Sequence, residues 1–385
     1  MLRLFTPQEV GEFSVISQIG FFWMTLALAQ SQLGVLANQH LPAHIAAQQA
    51  WRASALRGVG LLPVAALAVW FSQLNLWSAL LWALLLALCQ TGWMLAQSWT
   101  LRAGSARHQA AVRVLPPLTA AMAALTASLL GTSVGWSGPT LVLSALLGYA
   151  VGAAWLVPAL RQHTAPHAKE LTTNIDANAD SNAPHSSDTR SAPLRMAHTL
   201  VDALLATAII VVWQRLYGAE ETGWMSALLR VLGFVPAVVH MAWAQVALAQ
   251  GSQSSSQLAT WATPWRLGLG GFACVIGLGL SCALALDQQW LDARWSGVWA
   301  YIAPLVLWQG SACLSAAFSH RPFQTASASR YSWGCMGLGL LQACVLLTPL
   351  GLQTPLEASQ HMAAFSIVSS AGLMALTAWM AKLRS

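Results

Sequence analysis

The chain has 385 residues, of which 56% are hydrophobic and only 8% charged, with a formal net charge of +6. Its mean hydropathy is +0.57, and a soluble domain built this way would lack the surface charge that keeps it in water. Soluble enzymes and nucleic-acid-binding modules are thereby set aside, because a positive balance in such a chain first reflects basic loops at a membrane.

In chain order, apolar stretches of about twenty residues recur, each long enough to cross a hydrocarbon core about 30 Å thick as a helix. Eleven spans are predicted, at roughly 13–36, 56–73, 76–98, 114–131, 139–160, 196–216, 222–248, 266–286, 295–318, 331–350 and 359–381. Tryptophans such as Trp70, Trp77, Trp213, Trp290 and Trp295 fall near the span ends, where indole prefers the headgroup zone. The six cysteines lie in apolar runs without CxxC spacing and read as small buried hydrophobes. The opening "MLRLFTPQEV" has no apolar core of a signal peptide. The polar stretch at 161–195 lacks apolar periodicity and reads as a disordered cytoplasmic linker. Its His163, His167 and His185 fit no compact metal site.

Alternate connections assigned to opposite sides give a strong charge asymmetry. Fourteen of the eighteen Lys and Arg fall on one side; Arg3, Arg215 and Arg294 fall on the other, and Arg230 lies within a span. The positive-inside rule then places the C-terminus in the cytoplasm.

The phrase "LRLFTPQEVGEF" near the start is echoed by "QRLYGAEETGWM". Aligning Leu4-Phe5 with Leu216-Tyr217 also aligns Glu9 with Glu221 and Gly11 with Gly223, at a constant offset. The second copy is a short turn between two spans, whereas in the first copy the preceding span has no residues to be made from. An all-α protein of two pseudo-symmetric bundles follows, five helices in residues 1–160 and six in residues 196–385, joined by the linker. Duplicated bundles of this kind are how many transporters build a site between halves.

Those same residues resemble a family. "LFTPQEVGEFSVIS" and "LYGAEETGWMSALLRVLGFVPAVV" look like the second and eighth helices of the polysaccharide and O-antigen flippases, within the multidrug/oligosaccharidyl-lipid/polysaccharide transporter superfamily. "QSWTLRAGSARHQAAVRVLPPL" is similar to the family's fourth-to-fifth connection, and "LLGYAVGAAWL" to its glycine-marked sixth helix. The resemblance implies a bacterial inner-membrane flippase that moves an undecaprenyl-diphosphate-linked oligosaccharide outwards by alternating access, without bond chemistry or a cofactor. It also implies twelve helices, so the family's first helix is the one not found.

Such a cargo needs cations for its phosphates and amides or hydroxyls for its sugars. Ser14, Gln18, Thr25 and Gln32 fall four or seven apart in the first span, and Gln90 and Gln97 do so in the third. Both sets are read as cavity stripes, the alternative being hydrogen bonds that glue helices together; the sustained run in the first span favours a lumen. Arg230 sits about 12 Å inside its span at 1.5 Å per residue, where a guanidinium costs about 2.5–3.5 kcal/mol without water or a partner. It is read as a fixed cation for the diphosphate, in preference to an ion pair with Asp202, which lies at another depth. Asp202 and His198 share a helix face and could carry a coupling proton, although a cluster that merely orients the helix is favoured.

Three rivals stand beside this reading. A cation-coupled drug exporter of the same superfamily would want an acidic cavity, and a polymerase or ligase would want a large external loop. A degenerate, non-transporting membrane protein is the third.

Overall fold

The computed structural model describes residues 4–29, 31–37, 41–134, 139–162, 192–240, 243, 262–325, 327–351 and 356–383. The predicted linker therefore lies almost entirely outside the described residues, as do its three histidines. The structure is 91% helical and contains no strands among the described residues, the architecture of an all-α membrane protein. Among the described residues, eight helices are long and apolar enough to cross a membrane, or nine if the pair Ala43–Gly60 and Leu62–Phe71, bent by 48°, counts as one span.

The helices are α1 (Pro7–Leu28), α2 (Ser31–Ala37), α3 (Ala43–Gly60), α4 (Leu62–Phe71), α5 (Leu76–Ala103), α6 (Ala106–Val134), α7 (Thr140–Ala154) and α8 (Val157–Arg161). After the undescribed stretch come α9 (Ala192–Val239), α10 (Ala262–Asp287), a 3-10 turn (Ala293–Val298), α11 (Trp299–Phe318), α12 (Arg321–Gln324), α13 (Ala328–Gly351) and α14 (Ala358–Lys382). The chain forms two compact units. A C-terminal unit gathers residues 193–385 with 1–15 and 71–73, and an N-terminal unit holds 16–70 and 74–192.

Local chemistry sets the helix ends. α1 begins six residues earlier than hydropathy predicts, because Thr6-Pro7-Gln8-Glu9 is a capping box with proline at the first helical position. Glu9 N donates to Thr6 Oγ1 at 3.2 Å, and Thr6 N donates to Glu9 Oε2 at 2.7 Å. The helix stops at Leu28 because Ala29 turns to a φ of 39°, so the predicted span 13–36 is a helix followed by the separate α2. Arg57 closes that end, donating through Nη1 to Leu28 O at 2.9 Å and through Nη2 to Ser31 Oγ at 2.7 Å. Arg102 likewise reaches Val35 O at 2.9 Å, at the end of α2. Both arginines, which loop charge alone would assign to headgroups, complement helix C-termini.

In the N-terminal unit, α7 presents Gly148 and Gly152 to its neighbours. An added Cβ at Gly148 would meet Ala120 Cβ of α6 at 2.7 Å, and one at Gly152 would overlap the Trp93 ring of α5. Pro116 inside α6 lacks the N–H that would bond the Val112 carbonyl. Trp93 Nε1 supplies the bond instead, at 2.7 Å, as a membrane interior requires of every backbone group.

In the C-terminal unit α11 packs between α10 and α14, with α13 beside α14. Here Pro349 of α13 frees the Val345 carbonyl, and His361 Nε2 on α14 donates to it at 3.2 Å. Gln342 Nε2 donates to Ser369 Oγ at 2.8 Å across the same pair.

Candidate functional site

The repeat seen in the sequence becomes a contact in the C-terminal unit. α9 is broken at Gly218, whose φ of 84° and ψ of −179° are not helical, so it consists of two arms, 192–217 and 219–239. The second arm crosses the opening of α1. A Cβ on Gly11 would overlap the carbonyl oxygen of Ala219, and one on Gly223 would overlap that of Pro7. Each glycine thus permits close backbone approach of the opposite element. One turn further on, the Ser14 and Ser226 hydroxyls lie 2.8 Å apart, both buried, and are separated by 212 residues in sequence. The spacing that aligns the repeats is the spacing that pairs them, which is what a twofold axis through the crossing produces.

Arg230 stands at this crossing. Its Nη2 donates to Ser14 Oγ at 3.1 Å, and its guanidinium carbon lies 4.7 Å from the centre of the Phe13 ring. Ser14 Oγ in turn donates to Val10 O at 2.6 Å, so the hydroxyl is held between the guanidinium, Ser226 Oγ and the helix backbone. The ring and the hydroxyl hold the guanidinium plane in place, a cation–π contact of this kind being worth about 0.5–1 kcal/mol at an exposed site. The side chain itself is exposed.

Beyond the break at Gly218 lies a buried network that sequence reasoning missed. Trp213 Nε1 donates to Tyr301 Oη at 3.2 Å, and Tyr301 Oη donates to Glu221 Oε2. The Trp213 indole stacks on His361, centroids 4.8 Å apart at 21°. Because the Val345 carbonyl only accepts, His361 Nε2 carries a proton, and in the neutral ring Nδ1 accepts from Tyr217 Oη at 3.0 Å. Trp213, Tyr301 and His361 are each at most 1% exposed. The network ties both arms of α9 to α11 and α14, and so fixes the angle at which the second arm meets α1. The repeat phrase contains Tyr217 and Glu221, which was the available signal; nothing local marks Tyr301 or His361.

The other predicted residues are placed as follows. Gln18 and Thr25 are half-buried on α1, with Thr25 Oγ1 donating to Phe21 O at 2.8 Å. Gln32 belongs to α2, beyond the break at Ala29, so the predicted face continues on α1 only through Ser14, Gln18 and Thr25. The Gln32 and Gln90 Oε1 atoms are buried and unpartnered among the described residues. Gln97 is half-buried, its Nε2 3.9 Å from Met94 Sδ. Asp202 Oδ2 and His198 Nε2 form a pair at 3.1 Å, with the carboxylate more than half exposed. His240 Nδ1 lies 3.1 Å from Ser319 Oγ.

Chemically, the crossing offers an oriented cation held against a hydroxyl and an aromatic ring. Among the described residues no three His, Cys, Asp or Glu gather as metal ligands. Compared with known proteins, the chain matches no family model, no curated protein and no solved structure.

Proposed function

We propose that this protein is a carrier that flips an undecaprenyl-diphosphate-linked oligosaccharide across the bacterial inner membrane by alternating access, with its C-terminus in the cytoplasm. Eleven crossings are assigned: the eight long apolar helices, the bent pair α3–α4, the shorter α7, and the second arm of α9 counted apart from the first. Arg230 meets the diphosphate, for which a planar guanidinium fork is suited. Gln18, Thr25, Gln32, Gln90 and Gln97 supply amides and a hydroxyl for sugars.

The observation that carries this reading is the crossing at Gly11–Gly223 and Ser14–Ser226, with Arg230 on Ser14. Repeats paired about an axis are the construction on which alternating access runs. An intramembrane cation at such an axis favours an anionic cargo over the cationic cargo of a drug exporter.

The test is translocation of a fluorescent polyprenyl-diphosphate oligosaccharide in proteoliposomes. The wild type is expected to expose the label to the opposite leaflet, Arg230→Ala to lose at least ten-fold in rate, and Arg230→Lys to retain part. Absence of wild-type translocation, or an unaffected Arg230→Ala variant, would overturn the assignment.

A further inference from the structure

A second binding feature lies away from the crossing, where α10 gives way to the 3-10 turn. A half-open cavity of about 400 Å³ is lined there by Leu286, Gln289, Leu291, Asp292, Ser296 and Trp299. The chain reaches it between two membrane-spanning helices, so the cavity faces a membrane surface. Its volume falls in the lower part of the range of about 300–1,000 Å³ for small-molecule sites.

How the cavity forms is visible from a related turn. At Gln73 the backbone is left-handed, with φ 62°, and Asn75 two residues later caps α5 by accepting from Ser78 N at 3.2 Å. At Gln289 it is again left-handed, with φ 55°, and Asp292 three residues later accepts from Arg294 N at 3.1 Å. In the second case a 3-10 turn, Ala293–Val298, separates the cap from the next helix. That extra turn sets Ser296 and Trp299 opposite Leu286 and Gln289, and the cavity is the space between them.

The lining selects a chemical class. Asp292 Oδ2 lies 3.3 Å from Arg294 Nε, so the Arg294 cation beside the cavity is offset by a carboxylate, which disfavours a phosphate. The Arg294 backbone N–H takes one of about four lone-pair directions of that carboxylate, and hydroxyl donors suit those that remain. Gln289 and Ser296 add an amide and a hydroxyl, both exposed. Trp299 is 52% exposed and offers an indole face, electron-rich and apolar, against which the C–H face of a pyranose packs.

We propose that this cavity is a subsite for a neutral glycosyl unit, holding about one or two sugar rings. The chemistry stands on the lining alone; only the identification of the sugar as part of the cargo rests on the flippase reading.

The experiment uses the full-length protein in nanodiscs of phosphatidylethanolamine and phosphatidylglycerol. Saturation-transfer NMR is recorded with neutral di- and trisaccharides, and phosphorus line broadening with inorganic diphosphate. Sugar-ring protons are expected to saturate on the wild type and to lose at least five-fold of that signal in Trp299→Ala and in Asp292→Asn. Trp299→Tyr keeps a platform and is expected to keep about half, which separates loss of the site from loss of the fold. Diphosphate broadening stays unchanged in all three variants. No saturation by any neutral sugar, or equal saturation in the variants, overturns the proposal. Nanodiscs carrying a glycosyl diacylglycerol distinguish the sources: suppression of the free-sugar signal assigns the cavity to a lipid headgroup, and an unchanged signal assigns it to a cargo glycan. Sugar binding without translocation leaves this site standing while the flippase reading falls.

Discussion

The opening of α1 and the second arm of α9 are the same element built twice with different parts. Both bring a glycine and, three residues later, a serine to the crossing. They reach it differently: Thr6 starts α1 as a capping residue, whereas the equivalent Gly218 lies inside a continuous chain and turns it by a positive φ. The copies also part company one turn past the serine, at Gln18 and Arg230. Backbone approach at the axis is shared because it must be mutual, while the surrounding side chains have diverged. The repeated element keeps its contact and varies its charge.

Breaking the shared part has the largest expected effect. Gly223→Val drives two methyl groups into the Pro7 carbonyl, and Gly11→Val does the same to Ala219. Each is expected to cost about 3 kcal/mol or more by overpacking, read as a fall in thermal unfolding midpoint of the detergent-solubilised protein. Equal losses from the two variants support a true axis, and a marked inequality argues against it.

Next comes the network that holds the second arm. Tyr301→Phe removes the hydroxyl that serves both Trp213 and Glu221, leaving an indole N–H buried and unpaired. A loss of about 2 kcal/mol is expected, measurable in the same melt. An unchanged midpoint would mean that water takes the place of the hydroxyl.

The parts that differ give an asymmetric exchange. Gly218→Thr places a β-branched residue at φ 84° and is expected to cost about 2 kcal/mol. The reciprocal Thr6→Gly keeps an acceptable cap and is expected to cost only a few tenths of a kcal/mol. Equal effects would show that the two starts are chemically alike after all. Between those two effects lies Arg57→Ala, which uncaps α1 at Leu28; about 1 kcal/mol is expected, seen as faster backbone hydrogen exchange near residue 28.

These residues also explain what the sequence could disclose. Hydropathy is a local property, so the all-helical, membrane-spanning class was legible, and so was the repeat, because Glu9/Glu221 and Gly11/Gly223 keep identity at fixed spacing. The capping box at Thr6–Glu9 was equally visible in its letters. The end of α1 was not, since Ala29 is neither glycine nor proline and adopts a positive φ only in its tertiary setting; Gln32 was therefore assigned to the wrong helix. Arg57 and Arg102 looked like loop charges because a cap contributed from another helix leaves no mark on the chain that receives it. The network of Trp213, Tyr217, Glu221, Tyr301 and His361 joins three helices far apart in sequence, and only packing brings them together. Pro349 carried half of that information, in that its freed carbonyl required a donor, but not which one.

The proposed carrier mechanism turns on two copies meeting at Ser14 and Ser226 and parting as access alternates. The most direct measurement replaces both with cysteine in native membranes, oxidises them, and follows translocation of the labelled lipid-linked sugar before and after reduction. With hydroxyls 2.8 Å apart, the pair is close enough for a disulfide, for which Cβ separations of about 3.5–4.5 Å are needed. The expected result is efficient cross-linking, arrested transport, and recovery on reduction. A pair that fails to cross-link, or transport that continues through the bond, would contradict the account.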